Sequence, residues 1–403
     1  ATGRSMQDVD PLARSLLRIG AYQLLFMSRI PAHAAVSEAV DSARRLGHPG
    51  MAGFINAVLR RIASPRFDPG FPDPAAEPVK SPAVRLSYPE WLVESWIGEF
   101  GPETAARMLE AGNQAPAVVL RANTLRVSRD ELAEKLGRLG GAAPTGTDVN
   151  AGATAGVATQ PGLYAPEALW IVGPLESVES LPGFREGLFS VQDESSMLVA
   201  HVMGRPRLVI DSCAAPGGKA THIAELARDE ARVVACDVSA RKVALISESA
   251  RRLGLRSVEA VECDARELPA EWAGKADAAL VDAPCTGLGV LARRADARWR
   301  KEPDDVVQLA RLQSEILSAA SACVAPGGVL VYSTCTVGRA ENADQAEAFL
   351  QSHPDFRPSP LAPHMPSDAA RDLCDGDSHM LQLPPGISGT DGFFIARFVR
   401  LPA

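Results

Sequence analysis

The stretch Asp211-Ser212-Cys213-Ala214-Ala215-Pro216-Gly217-Gly218-Lys219 lies between a short apolar run and a helical pattern. The apolar run 208–211 predicts a strand, and residues 220–228 predict the helix that follows. Small residues in such a connection let a ligand approach the backbone, with helix N–H groups pointing toward it. The stretch matches neither a Walker loop nor the G-x-G-x-x-G pattern of nicotinamide-dependent enzymes. We therefore predict a ligand-binding strand–loop–helix unit of another kind.

The chain after this loop repeats the same alternation. Short apolar runs at 233–237, 258–264, 278–282 and 329–333 predict strands, and amphipathic helices fill the gaps. Such alternation predicts a doubly wound, mostly parallel sheet with its ligand site at the carboxyl ends of the strands. Residues 393–399 alternate like a late strand, which we expect to form an antiparallel edge. The predicted fold class is α/β, with a Rossmann-like domain over residues 188–403.

Three segments precede that domain. Residues 1–66 have apolar residues at three- and four-residue spacing and predict an all-helical segment. Residues 67–85 are rich in proline and predict a linker, because proline interrupts helices and central strands. Residues 86–187 combine helical patterns with a β-branched strand at 117–123 and predict a small α/β module.

Composition bounds the class of protein. The chain has 403 residues, of which 46% are hydrophobic and 22% charged, and it contains no apolar run long enough to span a membrane. Its seven cysteines include no C-x-x-C pair, which indicates neither a disulfide framework nor a zinc knuckle. We therefore predict a cytoplasmic protein with reduced thiols, no metal and no membrane partner, and we expect a monomer.

The formal charge of −8 conceals two basic regions. Residues 1–66 carry nine arginines against four acidic residues, a local net charge of +5. A second cluster surrounds Trp299 and consists of Arg293, Arg294, Arg298, Arg300 and Lys301. Both regions are candidate contacts for nucleic-acid phosphates, and the alternative for each is an ordinary solvated surface.

Two acidic residues follow later strands. Asp237 lies at the end of the strand after the first loop, where an acid commonly binds the ribose hydroxyls of a nucleotide. Asp264 ends the next strand, in a position to meet an adenine amino group. Either residue could instead cap a helix. A glycine loop with one ribose acid is shared by many nucleotide-binding domains and does not identify the ligand.

Two cysteine-bearing loops narrow the chemistry. They are Asp282-Ala283-Pro284-Cys285-Thr286-Gly287 and Ser333-Thr334-Cys335-Thr336, and each follows a predicted strand. Both thiols fall at the carboxyl ends of strands that we expect to be adjacent, which places them beside the ligand site. Cys236 and Cys263 fall inside strand patterns and are predicted to be core residues.

A pair of thiols suits methyl transfer to C5 of a cytosine. That carbon is a poor nucleophile until a thiolate adds to C6, after which C5 accepts a methyl group from a sulfonium donor. A free thiol has a pKa of about 8.5, so a cation such as Lys219 must favour the thiolate. One thiol then adds to the base and the other assists release. The base must leave its stack, which is easiest in single-stranded or looped RNA.

The segments 211–219, 282–287 and 333–335 resemble motifs I, IV and VI of the RNA 5-methylcytosine methyltransferase family. Segments 192–196 and 389–394 are similar to further parts of that family. The resemblance implies S-adenosyl-L-methionine as the methyl donor, Cys335 as the nucleophile and Cys285 as the release thiol; DNA cytosine-5 enzymes use the Pro-Cys position instead. It carries the cofactor contacts onto Cys213, Ala214, Ala215, Pro216, Gly217, Gly218, Lys219, Asp237, Arg241, Asp264 and Asp282.

The helical segment is similar, through residues 31–40 and 53–61, to the NusB-like extension of the RsmB (Sun, Fmu) branch of that family. Only the later part of that extension has a counterpart here. Members of this branch modify small-subunit ribosomal RNA, so the resemblance implies 16S rRNA as the partner and an RNA-binding role for residues 86–187. A tRNA or DNA cytosine methyltransferase and a catalytically silent RNA-binding or assembly protein are the alternatives.

Overall fold

The computed structural model describes residues 5–47, 49–68, 70–137 and 156–402. Contacts group the chain into two compact units, Ala1–Glu77 and Pro78–Ala403. Within the described ranges, none of the helices is both long and apolar enough to cross a membrane. The predicted site residues all lie in the second unit.

The first unit contains three helices, α1 (Pro11–Phe26), α2 (Ala32–Leu46) and α3 (Pro49–Ile62). The Asp10 carboxylate caps α1 by accepting hydrogen bonds from two N–H groups of its first turn. Apolar faces of the helices meet in a core that includes Leu17, Val40 and Leu59. Gly20 permits close packing, because a Cβ there would lie 2.6 Å from a Leu59 methyl group. The predicted helical segment is confirmed.

The second unit begins with three short helices, α4 (Lys80–Leu86), α5 (Glu90–Phe100) and α6 (Pro102–Ala111). Helix α4 begins inside the range 67–85 that the proline content predicted to be a linker. The helix accommodates Pro82 because this residue lies in the first turn, where the missing N–H has no partner within the helix. Trp96 and Met108 are buried in the core that these helices share.

A small α/β module follows. It contains β1 (Val118–Ala122), α7 (Arg129–Gly137), β2 (Ala158–Pro161), β3 (Ala168–Val172) and β4 (Phe189–Val191). The strands form an antiparallel sheet in the order β2-β3-β1-β4. The strand predicted at 117–123 is β1. Strand β4 lies after residue 187, within the range 188–403 that we predicted for the Rossmann-like domain. The sheet of the small module therefore includes the first residues of that predicted range.

The larger sheet contains five parallel strands, β5 (Leu208–Asp211), β6 (Arg232–Asp237), β7 (Val258–Glu262), β8 (Ala276–Asp282) and β9 (Val324–Thr334). They lie in the order β9-β8-β5-β6-β7, with every neighbouring pair parallel. The longer helices of this domain are α8 (Glu194–Val202), α9 (Gly218–Leu226), α10 (Ala240–Leu253), α11 (Pro303–Cys323) and α12 (Ala343–Ser352). The predicted α/β fold is confirmed.

The winding of this sheet reverses between β5 and β8. The chain runs from β5 outward through β6 to β7 and then returns to β8 on the other side of β5. In sheets of this kind the crevice outside the carboxyl ends of the strands, at the reversal, is where ligands bind. The loops after β5, β8 and β9 therefore frame the expected site.

The last long strand, β12 (Phe393–Arg400), pairs antiparallel with β9. Its other side pairs with two short strands, β10 (Phe356–Pro358) and β11 (Met380–Leu383), which are separated in sequence by the short helix α13 (Asp368–Arg371). The antiparallel strand predicted at 393–399 is present, and β10 and β11 extend the antiparallel edge beyond it.

Candidate active site

The loop after β5 is shaped by its small residues. Gly217 has a φ of 104°, and a Cβ at this position would lie 3.2 Å from the Ile246 Cα atom in α10. A side chain would therefore be strained at Gly217 and would crowd the helix. The Ala214 N–H donates to the Cys236 carbonyl at 2.7 Å, which fixes the start of the loop against β6. The first N–H groups of α9 follow directly and are available to a polar ligand.

The two cysteine loops meet at the carboxyl ends of β8 and β9. These strands are adjacent and parallel, and Asp282 pairs with Ser333 in their register. The loops that follow thus begin side by side, and the Sγ atoms of Cys285 and Cys335 lie 3.4 Å apart. Both cysteines are partly buried. The structure brings the two predicted catalytic residues into contact.

The two thiols differ in acidity. A hydrogen bond shared with the Cys285 sulfur, in which either thiol can be the donor, lowers the pKa of Cys335, and the positive charge of Lys219 acts in the same direction. The same hydrogen bond, followed by burial, raises the pKa of Cys285 well above its ordinary value. Burial also raises the pKa of the other five cysteines, Cys213, Cys236, Cys263, Cys323 and Cys374. Among the seven cysteines, all of which the structure describes, Cys335 is thus the one whose pKa is lowered.

Lys219 connects the first loop to the cysteine loops. Its Nζ atom lies 2.7 Å from Oδ2 of Asp282 and 5.1 Å from the centre of the Phe393 ring. The Ser333 hydroxyl donates to Oδ1 of Asp282 at 2.9 Å. Salt screens a partly buried pair of this kind only weakly. Lys219 and Asp282 are thus held in fixed positions next to Cys335.

A cavity of about 310 Å³ opens beside Cys335. Its wall contains Asp193, Arg293 and Asp391, and the Arg293 guanidinium donates to Asp391 at 2.6 Å and to Asp193 at 3.3 Å. Burial, assisted by the negative charge of Asp193, raises the pKa of Asp391 to about 6. Phe393 adds one aromatic face. A largely apolar cavity with a few fixed polar groups can bind a flat polar heterocycle.

Two buried carboxyl groups lie near the loop after β5. Asp211 is fully buried at the end of β5, and within the described chain neither of its carboxyl oxygens has a hydrogen-bond partner. Burial, together with the negative charge of Asp282, raises the pKa of Asp211 to about 8. Asp237 ends β6, is 7% exposed and accepts a hydrogen bond from the Ser239 N–H at 3.0 Å. Asp237 is therefore at the predicted position for a ribose-binding acid.

The other two predicted cofactor contacts are placed differently. Asp264 lies after β7 and forms an ion pair with Arg266, with 2.6 Å between nitrogen and oxygen. Hydrogen bonds from Arg266 lower the pKa of Asp264 to about 2. Arg241 is exposed in the first turn of α10. The structure thus gives Asp264 a partner of its own and leaves Arg241 at the surface.

One member of the basic cluster is a structural residue. Arg298 is 3% exposed, donates to the Gly112 carbonyl at 2.8 Å and to the Asn113 side chain at 2.7 Å, and stacks 3.8 Å from the Tyr88 ring centre. The prediction that it contacts phosphate is wrong, because it binds oxygens at and beyond the carboxyl end of α6. Arg293 is held at the cavity wall. The candidates that remain for phosphate are Arg294, Arg300 and Lys301.

Some residues at the site were not singled out by the sequence. Asp193, Asp391 and Phe393 line the cavity, and a signal for them existed, since they lie in the segments 192–196 and 389–394 that resemble the family. Glu341 and Asn342 had no such signal. They lie in the turn after Cys335, and only their tertiary contacts connect them to the cysteine loops.

A buried cluster of titratable side chains lies at Glu167, His201 and His222. Glu167 Oε1 lies 2.9 Å from Nε2 of His201 and 2.8 Å from Nε2 of His222. Burial lowers the pKa of His222 to about 4. Burial of Glu167 acts to raise the pKa of its carboxyl group, but the hydrogen bonds with the two histidines outweigh this effect and lower that pKa. The donor atoms lie within 4.8 Å of one another, a spacing that also fits a metal. In this structure, however, the Nε2 atoms of His201 and His222 both contact the Glu167 carboxylate directly.

Three family models match this chain. The model described as 16S rRNA methyltransferase RsmB/F matches residues 203–399, and the NusB family model matches residues 1–64. A model described as the ferredoxin-like domain of RsmF/B-like methyltransferases matches residues 88–154. The matched ranges together cover the helical segment, most of the small module and the domain with the thiol pair.

Curated relatives match nearly the whole chain. The probable ribosomal RNA small subunit methyltransferase B of Bacillus subtilis is 39% identical over 393 residues, covering 96% of this chain and 83% of the relative. The ribosomal RNA small subunit methyltransferase B of Pseudomonas putida is 34% identical and covers 98% of this chain and 84% of the relative. A solved methyltransferase homologue from Pyrococcus horikoshii has a TM-score of 0.62 and 26% identity, covering 79% of this chain and 98% of that protein.

Proposed function

This chain belongs to the RsmB/F family of 16S rRNA methyltransferases, and from that membership we propose that it transfers a methyl group from S-adenosylmethionine to C5 of a cytosine in 16S rRNA. The observation that carries the proposal is the contact between Cys285 and Cys335, whose sulfur atoms lie 3.4 Å apart beside a largely apolar cavity with a few fixed polar groups. A family member without thiol chemistry has no need for two sulfur atoms at this place.

The loop after β5 fits the methyl donor. Small residues and the positive φ of Gly217 expose backbone groups to a ligand, and Asp237 stands at the strand end where acids bind ribose hydroxyls. Residues 213–219, Asp237, Arg241, Asp264 and Asp282 are proposed as its contacts. When bound there, S-adenosylmethionine supplies an electrophilic methyl group.

Cys335 is the proposed nucleophile. The hydrogen bond from Cys285 and the nearby Lys219 favour its thiolate. Its sulfur forms a bond to C6 of a cytosine in the cavity, and the electron pair of the C5–C6 double bond becomes available at C5. That carbon then forms a bond to the methyl group, while the bond between the methyl group and the sulfonium sulfur of the donor breaks and leaves a neutral thioether.

Cys285 is the proposed release residue. After methylation the C5 proton is lost to a base, the double bond re-forms and the bond between C6 and the Cys335 sulfur breaks. The departing sulfur is a thiolate, and the Cys285 S–H is in place to donate a hydrogen bond to it. Because its pKa is raised, Cys285 keeps its proton at neutral pH and can act as this donor.

The proposal is tested by methyl transfer and by trapping of RNA on the protein. We expect labelled methyl groups to pass to small-subunit ribosomal RNA in preference to tRNA or DNA. The Cys335→Ala variant should show neither turnover nor covalent RNA, whereas Cys285→Ala should accumulate covalent RNA. Preferred methylation of tRNA or DNA would reject the substrate assignment. Turnover retained in Cys335→Ala but lost in Cys285→Ala, without trapped RNA, would reverse the two roles.

A further inference from the structure

We infer that Glu341 and Asn342, two consecutive residues in the turn between β9 and α12, are positioning residues that hold the two cysteine loops together. Both are 1% exposed. Asn342 binds its loop on both sides of Cys335, whereas Glu341 binds its loop directly after Cys285 and, through Gln313, before it. The inference rests on the proposed function, because it assigns the two residues to different steps of that reaction.

Glu341 holds the Cys285 loop. Its Oε1 atom accepts hydrogen bonds from the Thr286 N–H at 2.9 Å and from the Gln313 side-chain amide at 3.0 Å. The same Gln313 amide nitrogen donates to the Pro284 carbonyl at 2.9 Å. The residues before and after Cys285 are therefore both fixed, directly or through Gln313, by a single carboxylate.

Asn342 holds the Cys335 loop in the same manner. Its Nδ2 atom donates to the Thr336 carbonyl at 3.1 Å, and its Oδ1 atom accepts from the Thr334 hydroxyl at 2.5 Å. A second hydrogen bond from Nδ2, to the Gln382 side chain at 2.7 Å, fixes which way the amide faces and ties it to β11. The residues before and after Cys335 are thus bound by one amide.

A chain of hydroxyl groups joins the two halves. The Thr286 hydroxyl donates its only proton to Oε2 of Glu341. Its contact with the Thr336 hydroxyl, at 2.8 Å, must therefore use the proton of Thr336. The hydrogen bonds run in one direction, from the Cys335 loop through Thr286 to the carboxylate. Because a buried acceptor that loses a donor is costly, this arrangement resists separation of the loops.

The consequence is a defined distance between the two sulfur atoms. Cys285 and Cys335 are 50 residues apart in sequence, and their sulfur atoms and the threonines that follow them are in contact. Backbone hydrogen bonds also join the two loops, from the Ala283 N–H to the Ser333 carbonyl and from the Gly289 N–H to the Cys335 carbonyl. Displacement of a reacting group by about 1 Å can lower a rate about 100-fold. The backbone restraints from Glu341 and Asn342 therefore bear directly on the rate, although neither residue is among those that line the cavity beside Cys335.

The test uses full-length variants assayed for turnover and for trapped covalent RNA on a small-subunit rRNA transcript. Loss of the Cys285 restraint in Glu341→Ala should lower turnover by about 100-fold while covalent RNA rises above the wild-type level. Loss of the Cys335 restraint in Asn342→Ala should lower turnover and covalent RNA together. A purely structural role would lower both readouts in both variants.

Matched controls come from the next helix. Glu347→Ala removes an exposed carboxylate that pairs with Arg339, and Gln345→Ala removes an amide that binds the Ala340 carbonyl. Both should behave as the wild type. Thr286→Val keeps the shape of its side chain and breaks the hydroxyl chain, so it replaces Glu341→Ala if thermal unfolding shows that the latter does not fold.

Two results overturn the inference, and they are distinguishable. In the first, Cys285→Ala traps RNA as proposed, but the Glu341, Thr286 and Asn342 variants either behave like the control variants or all show the same phenotype. The positioning roles are then rejected and the proposed function stands. If Cys285→Ala itself traps no RNA, the thiol assignment fails and the positioning roles fail with it. The Glu341→Gln variant should recover part of the turnover, since its amide oxygen can still accept from the Thr286 N–H.

Discussion

Replacing Arg121 by Met should destabilise the second unit strongly. Arg121, in β1 of the small module, is fully buried and forms a two-pronged ion pair with Glu225 of α9, with nitrogen–oxygen distances of 2.9 and 3.0 Å. It also donates to the Gly218 carbonyl at 2.6 Å, in the loop proposed to hold the methyl donor. Removing one partner of a buried ion pair typically costs about 3–5 kcal/mol, because the other charge is left uncompensated.

The comparison that isolates this effect is the double variant Arg121→Met/Glu225→Leu. Replacement of both charges by apolar side chains is often nearly neutral, so the double variant should recover most of the loss. Urea unfolding of the wild type, the single variant and the double variant measures the three free energies of unfolding. A single variant that loses less than about 1 kcal/mol, or a double variant that is no more stable than the single one, would refute the argument.

The loss in Arg121→Met should also depend on pH. Burial already raises the pKa of Glu225, against the attraction of Arg121, and without Arg121 that pKa rises further. A carboxyl group whose pKa is higher in the folded state contributes stability below its unfolded pKa and loses it as the pH rises through the folded value. The destabilisation should therefore be larger at pH 8 than at pH 5, and the double variant should show no such difference.

Two further outcomes follow from the structure. Gly217→Ala places a side chain at a φ of 104° and 3.2 Å from the Ile246 Cα atom, so the variant should lose about 1–3 kcal/mol of stability. Calorimetry should show that it binds S-adenosylmethionine more weakly than the wild type. An unchanged affinity would argue against this loop as the donor site. Arg298→Ala should lower the melting temperature without changing the salt dependence of RNA binding, because Arg298 binds the Gly112 carbonyl. Arg300→Ala should have the opposite effect: it should reduce the salt dependence of RNA binding and leave the stability intact, because Arg300 is exposed.

The meeting of the two thiols could be predicted because it follows from strand order. Once 278–282 and 329–333 are taken as neighbouring parallel strands, the loops after them must begin at the same edge of the sheet. The positive φ of Gly217 likewise agrees with what a glycine in such a loop suggests. These features depend on local pattern and on the general rules of sheet topology, both of which a sequence displays.

Other features depend on partners that are distant in sequence. Arg298 reads as one more surface cation until Gly112 and Asn113, nearly 190 residues earlier, are seen to surround it. Pro82 suggests a linker until its place in the first turn of a helix is known. Glu341 and Asn342 are ordinary polar residues in the sequence, and their connection to both cysteines exists only in the folded chain.

The position of β12 in the sheet has a consequence for synthesis of the protein. This strand comes from residues 393–400 and pairs with residues 329–334 of β9, the strand that ends directly before Cys335. While a ribosome is still translating the residues between them, β9 has β8 on one side and an open row of backbone groups on the other. Open strand edges are the surfaces on which unfinished chains associate. During synthesis the pairing of β9 is therefore completed only after β12 has been made, and until then its open edge can associate with other chains.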